Sequence, residues 1–172
     1  MVDLNVRTLT EHCYRFLQPM RARNRGWIQN VASVGGFTPS PDYAAYCATK
    51  AYVLFLSEGV GFELRGTGVV VSVLCPGFTI TEFHQVAGHA LPGWVKKSAM
   101  TAEKCAEIGL KGLFRAKRVI VPGIANKLAM LSVRMSPRWA VPKSAEIKVG
   151  KTDADRQNDR ALTASGSKTG PH

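Results

Sequence analysis

A tyrosine and a lysine four residues apart, Tyr46 and Lys50, are the residues of this chain best suited to chemistry. On a helix, residues i and i+4 lie on one face, so the phenol and the ammonium would share one space. A nearby positive charge favours the phenolate form of a tyrosine. Such a side chain exchanges a proton readily, as reversible interconversion of a carbonyl and an alcohol requires. Ser33 lies thirteen residues before Tyr46 and adds a hydroxyl.

Each of these residues also has an ordinary structural interpretation. Taken alone, Tyr46 is a half-buried helix tyrosine, Ser33 is a turn former after a strand, and Lys50 is a surface lysine. Tyr43 is seven residues from Lys50, so its ring is not expected to meet the ammonium. The joint spacing of the three residues, more than any one of them, favours a chemical role.

The elements that would position these residues alternate between helices and strands. Apolar residues at helical spacing and short β-branched runs carry the assignment. The predicted helices are residues 2–20, 42–64, 101–117 and 125–135, and the predicted strands are 27–33, 69–75 and 118–121. This order is typical of an α/β fold with a parallel sheet covered by helices. The nearly unbroken apolar run of 69–75 predicts a strand buried on both faces.

Ligands of such sheets bind beyond the carboxyl ends of the strands. Ser33 ends the first predicted strand, and Pro76-Gly77 ends the second. Between Phe78 and Met100 the periodicity is weak, which predicts a long functional loop.

Composition limits the kind of protein. A chain of 172 residues with 45% apolar residues is long enough for one domain, assigned to residues 1–147, and residues 148–172 are predicted to be a disordered polar tail. No apolar run is long enough to span a bilayer, and the first residues do not resemble a signal peptide. The four cysteines contain no C-x-x-C, which favours buried thiols in a reducing, cytoplasmic setting. The histidines have no ligand spacing, so no metal site is expected.

The formal charge of +11 has two interpretations. Basic side chains attract phosphates of a cofactor, a nucleic acid or a membrane. The favoured interpretation is solvated helix ends and loops, because no aromatic residues interleave with the basic ones as a nucleic-acid platform requires. No nucleic acid is therefore expected as a partner. Residues 127–143 mix apolar and basic residues. A core-packing helix is favoured there over membrane-surface docking, so membrane contact is not expected.

The combined motifs resemble the classical short-chain dehydrogenase/reductases over roughly residues 2–140. The matching pieces are Asn30-Val-Ala-Ser-Val-Gly-Gly36, Tyr46-x-x-x-Lys50, Cys75-Pro-Gly-Phe-Thr-Ile-Thr81, and Asn5 in a helix. The resemblance implies an incomplete Rossmann-like, doubly wound parallel sheet, the C-terminal half with about three strands. It also implies reversible hydride transfer between NAD or NADP and a ketone or secondary alcohol.

The resemblance implies a catalytic role for four residues. Tyr46 would be the general acid/base, and Lys50 would favour its phenolate and bond the nicotinamide ribose. Ser33 would donate a hydrogen bond to the substrate oxygen. Asn5 would hold a water that links Lys50 to solvent.

The resemblance also implies a cofactor site. Its residues would be Tyr46, Lys50, Pro76, Gly77, Thr79 and Thr81. The Thr81 hydroxyl would lie near the nicotinamide carboxamide. Apolar residues of the 78–100 loop (Phe83, Val86, Leu91 and Trp94) favour a lipophilic small-molecule substrate.

One half of the family's pattern is absent from the sequence. No T-G-x-x-x-G-x-G turn occurs, and neither does the residue that selects NAD or NADP. We therefore expect an N-terminally truncated member, and a catalytically inactive fragment acting as a binding module is the alternative function. Strand 27–33 would be an unpaired edge, which predicts poor solubility or a covering partner. By resemblance, the first two helices would also pack in a homo-oligomer.

Overall fold

The computed structural model describes residues 1–41, 43–80, 99–137, 139 and 141. A π-helical segment, Asp3–Thr8, leads into the first α-helix. The α-helices are α1 (Leu9–Ala22), α2 (Ala44–Glu63), α3 (Ala102–Leu113) and α4 (Ile124–Met135). The strands are β1 (Gly26–Val31), β2 (Val69–Leu74), β3 (Thr79–Ile80), β4 (Met100–Thr101) and β5 (Val119–Ile120).

Three strands form a parallel sheet in the order β1-β2-β5. Strand β1 pairs with β2 along its whole length, from Gly26 opposite Val69 to Val31 opposite Leu74. Strand β5 pairs with the last two residues of β2. The α/β fold and the parallel pairing are as predicted. In the part of the chain that the structure describes, β1 is an edge strand, which is also as expected.

The central position of β2 in the sheet explains why the sequence of this strand is almost continuously apolar. Val69, Val71 and Val73 pack against α1 and α2 on one face of the sheet. Leu74 packs with Cys105 of α3 on the other face. Both faces of β2 are therefore covered, as parallel sheets require. The arrangement has three layers: α1 and α2, the sheet, and α3.

Two local predictions differ from the structure. The N-terminal helix does not begin as a regular α-helix, because Asp3–Thr8 is π-helical. Residues 78–100 are not loop throughout, because β3 and β4 pair in parallel, Thr79 opposite Met100. Residues 81–98, with the predicted pocket residues Phe83, Val86, Leu91 and Trp94, lie outside the described residues. The predicted tail, 148–172, lies outside them too. Pairing between positions so distant in sequence gives no local signal.

Helix α4 is more peripheral than predicted. Its half-buried side carries Asn126, Met130 and Val133, and none of its residues is fully buried. The opposite side exposes four apolar side chains, Ile124, Leu128, Leu131 and Met135. A core-packing helix would bury that stripe, so the favoured sequence interpretation of 127–143 does not describe α4.

The four cysteines are all buried and unpaired, as expected from their spacing. Among the helices that the structure describes, none combines the length and apolar character needed to cross a membrane.

Candidate active site

The candidate site lies at the carboxyl edge of the sheet, where the chain leaves β1 and β2. The two exits are joined by main-chain hydrogen bonds: the Ala32 amide donates to the Leu74 carbonyl (2.8 Å) and the Val34 amide to the Pro76 carbonyl (2.9 Å). Ser33 and the Pro76-Gly77 loop therefore share one edge, as the order of the strands predicts.

Ser33 caps a short 3₁₀ turn, Val34–Phe37. Its backbone is extended, and its Oγ accepts a hydrogen bond from the Gly35 amide at 3.1 Å. This bond uses a lone pair of the oxygen and leaves the hydroxyl proton for another acceptor. Ser33 is half-buried, so the hydroxyl is held in place and a ligand can reach it.

Tyr46 and Lys50 lie side by side on the first half of α2, as their spacing predicts. The Lys50 Nζ is 5.8 Å from the centroid of the Tyr46 ring, and both residues are half-buried. Lys50 also donates from Nζ to the Val31 carbonyl at 3.1 Å. The lysine thus joins α2 to the end of β1 and holds its charge beside the phenol.

Burial shifts the pKa values of Lys50 and of the neighbouring Cys75. Removal from water lowers the pKa of the Lys50 ammonium, and the nearby Cys75 opposes this in part. Burial, with a contribution from Glu58, raises the pKa of the Cys75 thiol to about 12. Cys75 is therefore an uncharged thiol at neutral pH. Of Cys75 and Lys50, only the Lys50 ammonium carries a charge.

Two glycines set the distance between Ser33 and Tyr46. A Cβ on Gly36 would lie 2.8 Å from the Lys50 carbonyl oxygen and 3.2 Å from the Ala51 nitrogen, so the 3₁₀ turn rests directly on the α2 backbone. A Cβ on Gly35 would lie 3.4 Å from Tyr46 Cε1 and 3.5 Å from Ser33 Oγ. The side chains of Ser33 and Tyr46, both candidate site residues, therefore border the small space beside Gly35. The Gly35-Gly36 pair, separated from Ser33 only by Val34, was the available sequence signal for this close approach.

Asn5 reaches the site through a residue that sequence reasoning missed. Its Nδ2 donates to Thr49 Oγ1 at 3.1 Å, and Thr49 Oγ1 donates to the Tyr46 carbonyl at 2.8 Å. Thr49 is buried, whereas Asn5 is half-buried and still reaches the surface. Asn5 lies in the π-helical segment, an irregularity that occurs frequently at functional sites.

The predicted cofactor residues after β2 are placed by α4. Gly77 packs against the Asn126 side chain so closely that a Cβ would overlap it, and Asn126 donates to the Pro122 carbonyl at 2.8 Å. The Thr79 hydroxyl donates to the Gly77 carbonyl at 3.2 Å. Thr81 lies outside the described residues. Asn126, which gave no sequence signal, thus helps to fix the loop beside Ser33.

Residues 1–92 match the family described as short chain dehydrogenase. The 7beta-hydroxysteroid dehydrogenase of Collinsella aerofaciens is 33% identical over 129 residues, which are 74% of this chain and 49% of that protein. The D-beta-hydroxybutyrate dehydrogenase of Rhizobium meliloti is 31% identical over 111 residues, 64% of this chain and 42% of that protein. The chain spans about half the length of the curated relatives it matches.

Solved structures show the same likeness. A 7beta-hydroxysteroid dehydrogenase structure superposes with a TM-score of 0.74 at 27% identity, over 84% of this chain and 57% of that one. A short-chain dehydrogenase from Sphingobium yanoikuyae in complex with NADPH gives a TM-score of 0.67 at 29% identity, over 90% of this chain and 59% of that one.

Gly36→Ala should destabilise the chain by about 1–3 kcal/mol, because the added methyl meets α2 backbone that cannot move aside cheaply. Gly59→Ala is the matched control: it lies within α2, and a Cβ there meets nothing within 4 Å. The Gly59→Ala variant should be as stable as the wild type or more stable, since alanine favours helix. Urea unfolding gives the free energy of unfolding of both variants. Equal stabilities of the two variants would show that the turn does not press on α2.

The lowered pKa of Lys50 predicts a pH-dependent stability. Between the lowered value and the ordinary 10.5, the unfolded chain binds more protons at Lys50 than the folded chain does. Stability therefore rises with pH across this window. The free energy of unfolding of the wild type, minus that of Lys50→Met, should increase as the pH rises toward 10.5. Parallel curves, or a difference that falls with pH, would contradict the burial of the ammonium.

Proposed function

The chain belongs to the short chain dehydrogenase family, and we propose that it carries the proton-transfer half of an NAD(P)-dependent oxidoreductase that interconverts ketones and secondary alcohols. The observation that carries the proposal is that Ser33, at the turn after β1, lies beside Tyr46 and Lys50 of α2 at the carboxyl edge of the sheet.

In this proposal, Tyr46 transfers the proton. During reduction the Tyr46 phenol protonates the carbonyl oxygen, and during oxidation the phenolate accepts the proton of the alcohol. The Ser33 hydroxyl donates to the same oxygen and stabilises the charge that develops there. The Lys50 ammonium lies 5.8 Å from the ring centroid and places its positive charge beside the reacting side chain. The nicotinamide cofactor, when bound, supplies or accepts the hydride.

The residues present fit the nicotinamide end of the cofactor. Lys50 carries three N–H donors and uses one on the Val31 carbonyl, so its ammonium can also bond ribose hydroxyls. Pro76 and Gly77 border the same edge and would face the nicotinamide, with Thr79 and Thr81 following. The sequence contains no T-G-x-x-x-G-x-G turn for the pyrophosphate. The residue that selects NAD or NADP in the family has no counterpart in the printed sequence either.

Asn5 is proposed to supply the proton route. It would hold a water that connects Lys50 with solvent, so that Tyr46 is reprotonated after each reduction. Two observations support this role: Asn5 is fixed to Thr49, one residue before Lys50, and it lies in a π-helical segment.

The proposed substrate is a lipophilic ketone or alcohol, and the proposed setting is the cytoplasm. Support for the substrate class comes from relatives named 7beta-hydroxysteroid dehydrogenase and very-long-chain 3-oxoacyl-CoA reductase. Four buried, unpaired cysteines support a reducing compartment.

A second candidate function is a binding module without turnover. The observation that favours it is that the printed sequence contains no T-G-x-x-x-G-x-G turn. In this second candidate function, the residues at the carboxyl edge would bind only the nicotinamide end of the cofactor, and weakly.

Tyr46→Phe tests the proposed reaction. NADH and NADPH binding is measured by fluorescence titration, and turnover is followed with a panel of ketones from aliphatic to sterol-sized. We expect cofactor binding to persist in Tyr46→Phe while kcat/KM falls by at least about 100-fold. Tyr43→Phe is the matched control and should retain turnover. Unchanged turnover in Tyr46→Phe would refute the assignment, and a wild type that binds neither cofactor would support the binding module.

We also propose a homo-oligomer formed through α1 and α2. Exposed aromatic residues on these helices support it: Tyr14, Phe16 and Phe55 are 67%, 55% and 69% exposed. Burial of such surface drives association. Sedimentation equilibrium should show a dimer or larger species, and Phe16→Glu with Phe55→Glu should shift it toward the monomer. A monomeric wild type at micromolar concentration would refute this interface.

A further inference from the structure

The amino edge of the sheet, opposite the candidate active site, collects basic side chains. In a parallel sheet every return from a helix to the next strand lies at this edge. Three such turns, α1–β1, α2–β2 and α3–β5, each carry basic residues. Together these form a basic pole: Arg21, Arg23, Arg25, Arg65, Arg115, Lys117 and Arg118, all of them exposed. Hydrogen bonds join the first two turns, from the Gly26 amide to the Gly68 carbonyl (3.3 Å) and from the Gly68 amide to Asn24 Oδ1 (2.8 Å).

Aromatic rings lie between the arginines of this pole. The Arg65 guanidinium lies 3.4 Å from the centroid of the Phe62 ring, and the Arg118 guanidinium lies 5.6 Å from it. Phe62 thus connects the second turn with the third.

Two further rings, Trp27 and Phe114, connect the first turn with the third. The Arg25 guanidinium is 5.6 Å from the Trp27 ring, which meets the Phe114 ring edge-on at 6.1 Å. Trp27, Phe62 and Phe114 remain 42%, 53% and 67% exposed. The fold therefore creates the alternation of basic and aromatic groups that the linear sequence lacks.

The charge of the pole is not neutralised within the described chain. Elsewhere basic residues pair with carboxylates, as Arg7 does with Glu11 and Lys104 with Glu107. Among the described residues, none of the seven basic residues of the pole forms an ion pair. Segments 21–25, 62–68 and 114–118 contain one acidic residue, Glu63. A local excess of unpaired cations attracts a polyanion.

We propose that the basic pole binds an anionic phospholipid surface. Arginine forks match phosphate oxygens in a bidentate way. Trp and Phe beside basic residues are the side chains that settle at the headgroup boundary.

A single-stranded nucleic acid fits the pole less well. Bases need open ring faces for stacking. Guanidinium groups lie over the rings of Phe62 and Trp27, so those faces are already in use.

Vesicle co-sedimentation of the whole chain tests the proposal. The vesicles contain phosphatidylcholine alone, or with about one-third phosphatidylserine, at about 0.1 M salt. We expect binding to the anionic vesicles only, weakened at high salt. Arg115→Glu with Lys117→Glu should lower the affinity at least about tenfold. Lys127→Glu with Arg134→Glu, an equal charge change on α4, is the matched control and should bind as the wild type does.

Circular dichroism checks that each variant is folded, and Arg21→Glu with Arg65→Glu gives a second reversal within the pole. Equal binding to neutral and anionic vesicles would overturn the proposal, as would an equal loss in the α4 control. A single-stranded oligonucleotide that binds more tightly than the anionic vesicles, and loses affinity in the pole variants, would assign the pole to nucleic acid instead and also overturn it.

Discussion

The site depends on one close approach of two backbones, where the turn after β1 rests on α2 at Gly36. The turn carries Ser33, and the helix carries Tyr46 and Lys50. Because a Cβ at Gly36 would meet the Lys50 carbonyl oxygen at 2.8 Å, only glycine lets the turn come this near. Lys50 completes the connection from the helix side through its bond to the Val31 carbonyl. The serine, the phenol and the ammonium are thereby fixed relative to one another before any ligand binds.

The parallel sheet gives the chain two chemically different ends. At the carboxyl end, half-buried polar groups converge on the small space beside Gly35. At the amino end, helix-to-strand turns expose arginines and aromatic rings. The same topology produces both, because parallel strands place all exits on one edge and all entries on the other. The proposed substrate and the proposed anionic lipid surface would therefore meet the molecule at opposite edges.

Sequence reasoning succeeded where the signal was local or periodic. The β-branched run 69–75 predicted a strand covered on both faces, and the four-residue spacing of Tyr46 and Lys50 placed them together. It failed where contacts join distant segments. The bond from Asn5 to Thr49, the fit of Gly77 against Asn126, and the meeting of Trp27 with Phe114 have no local pattern. The pairing of Thr79 with Met100 was missed for the same reason.

The distance between Gly35 and Tyr46 is the most direct measure of whether the turn and α2 form this site. With Tyr46 Cε1 only 3.4 Å from the Cβ position of Gly35, the ring protons must lie close to the α-protons of that glycine. We expect nuclear Overhauser effects between the Tyr46 ring and the Gly35 α-protons in the isotopically labelled chain, and we expect them to weaken in Gly36→Ala. Absence of these effects in a folded wild type would show that the turn and α2 do not form the site described.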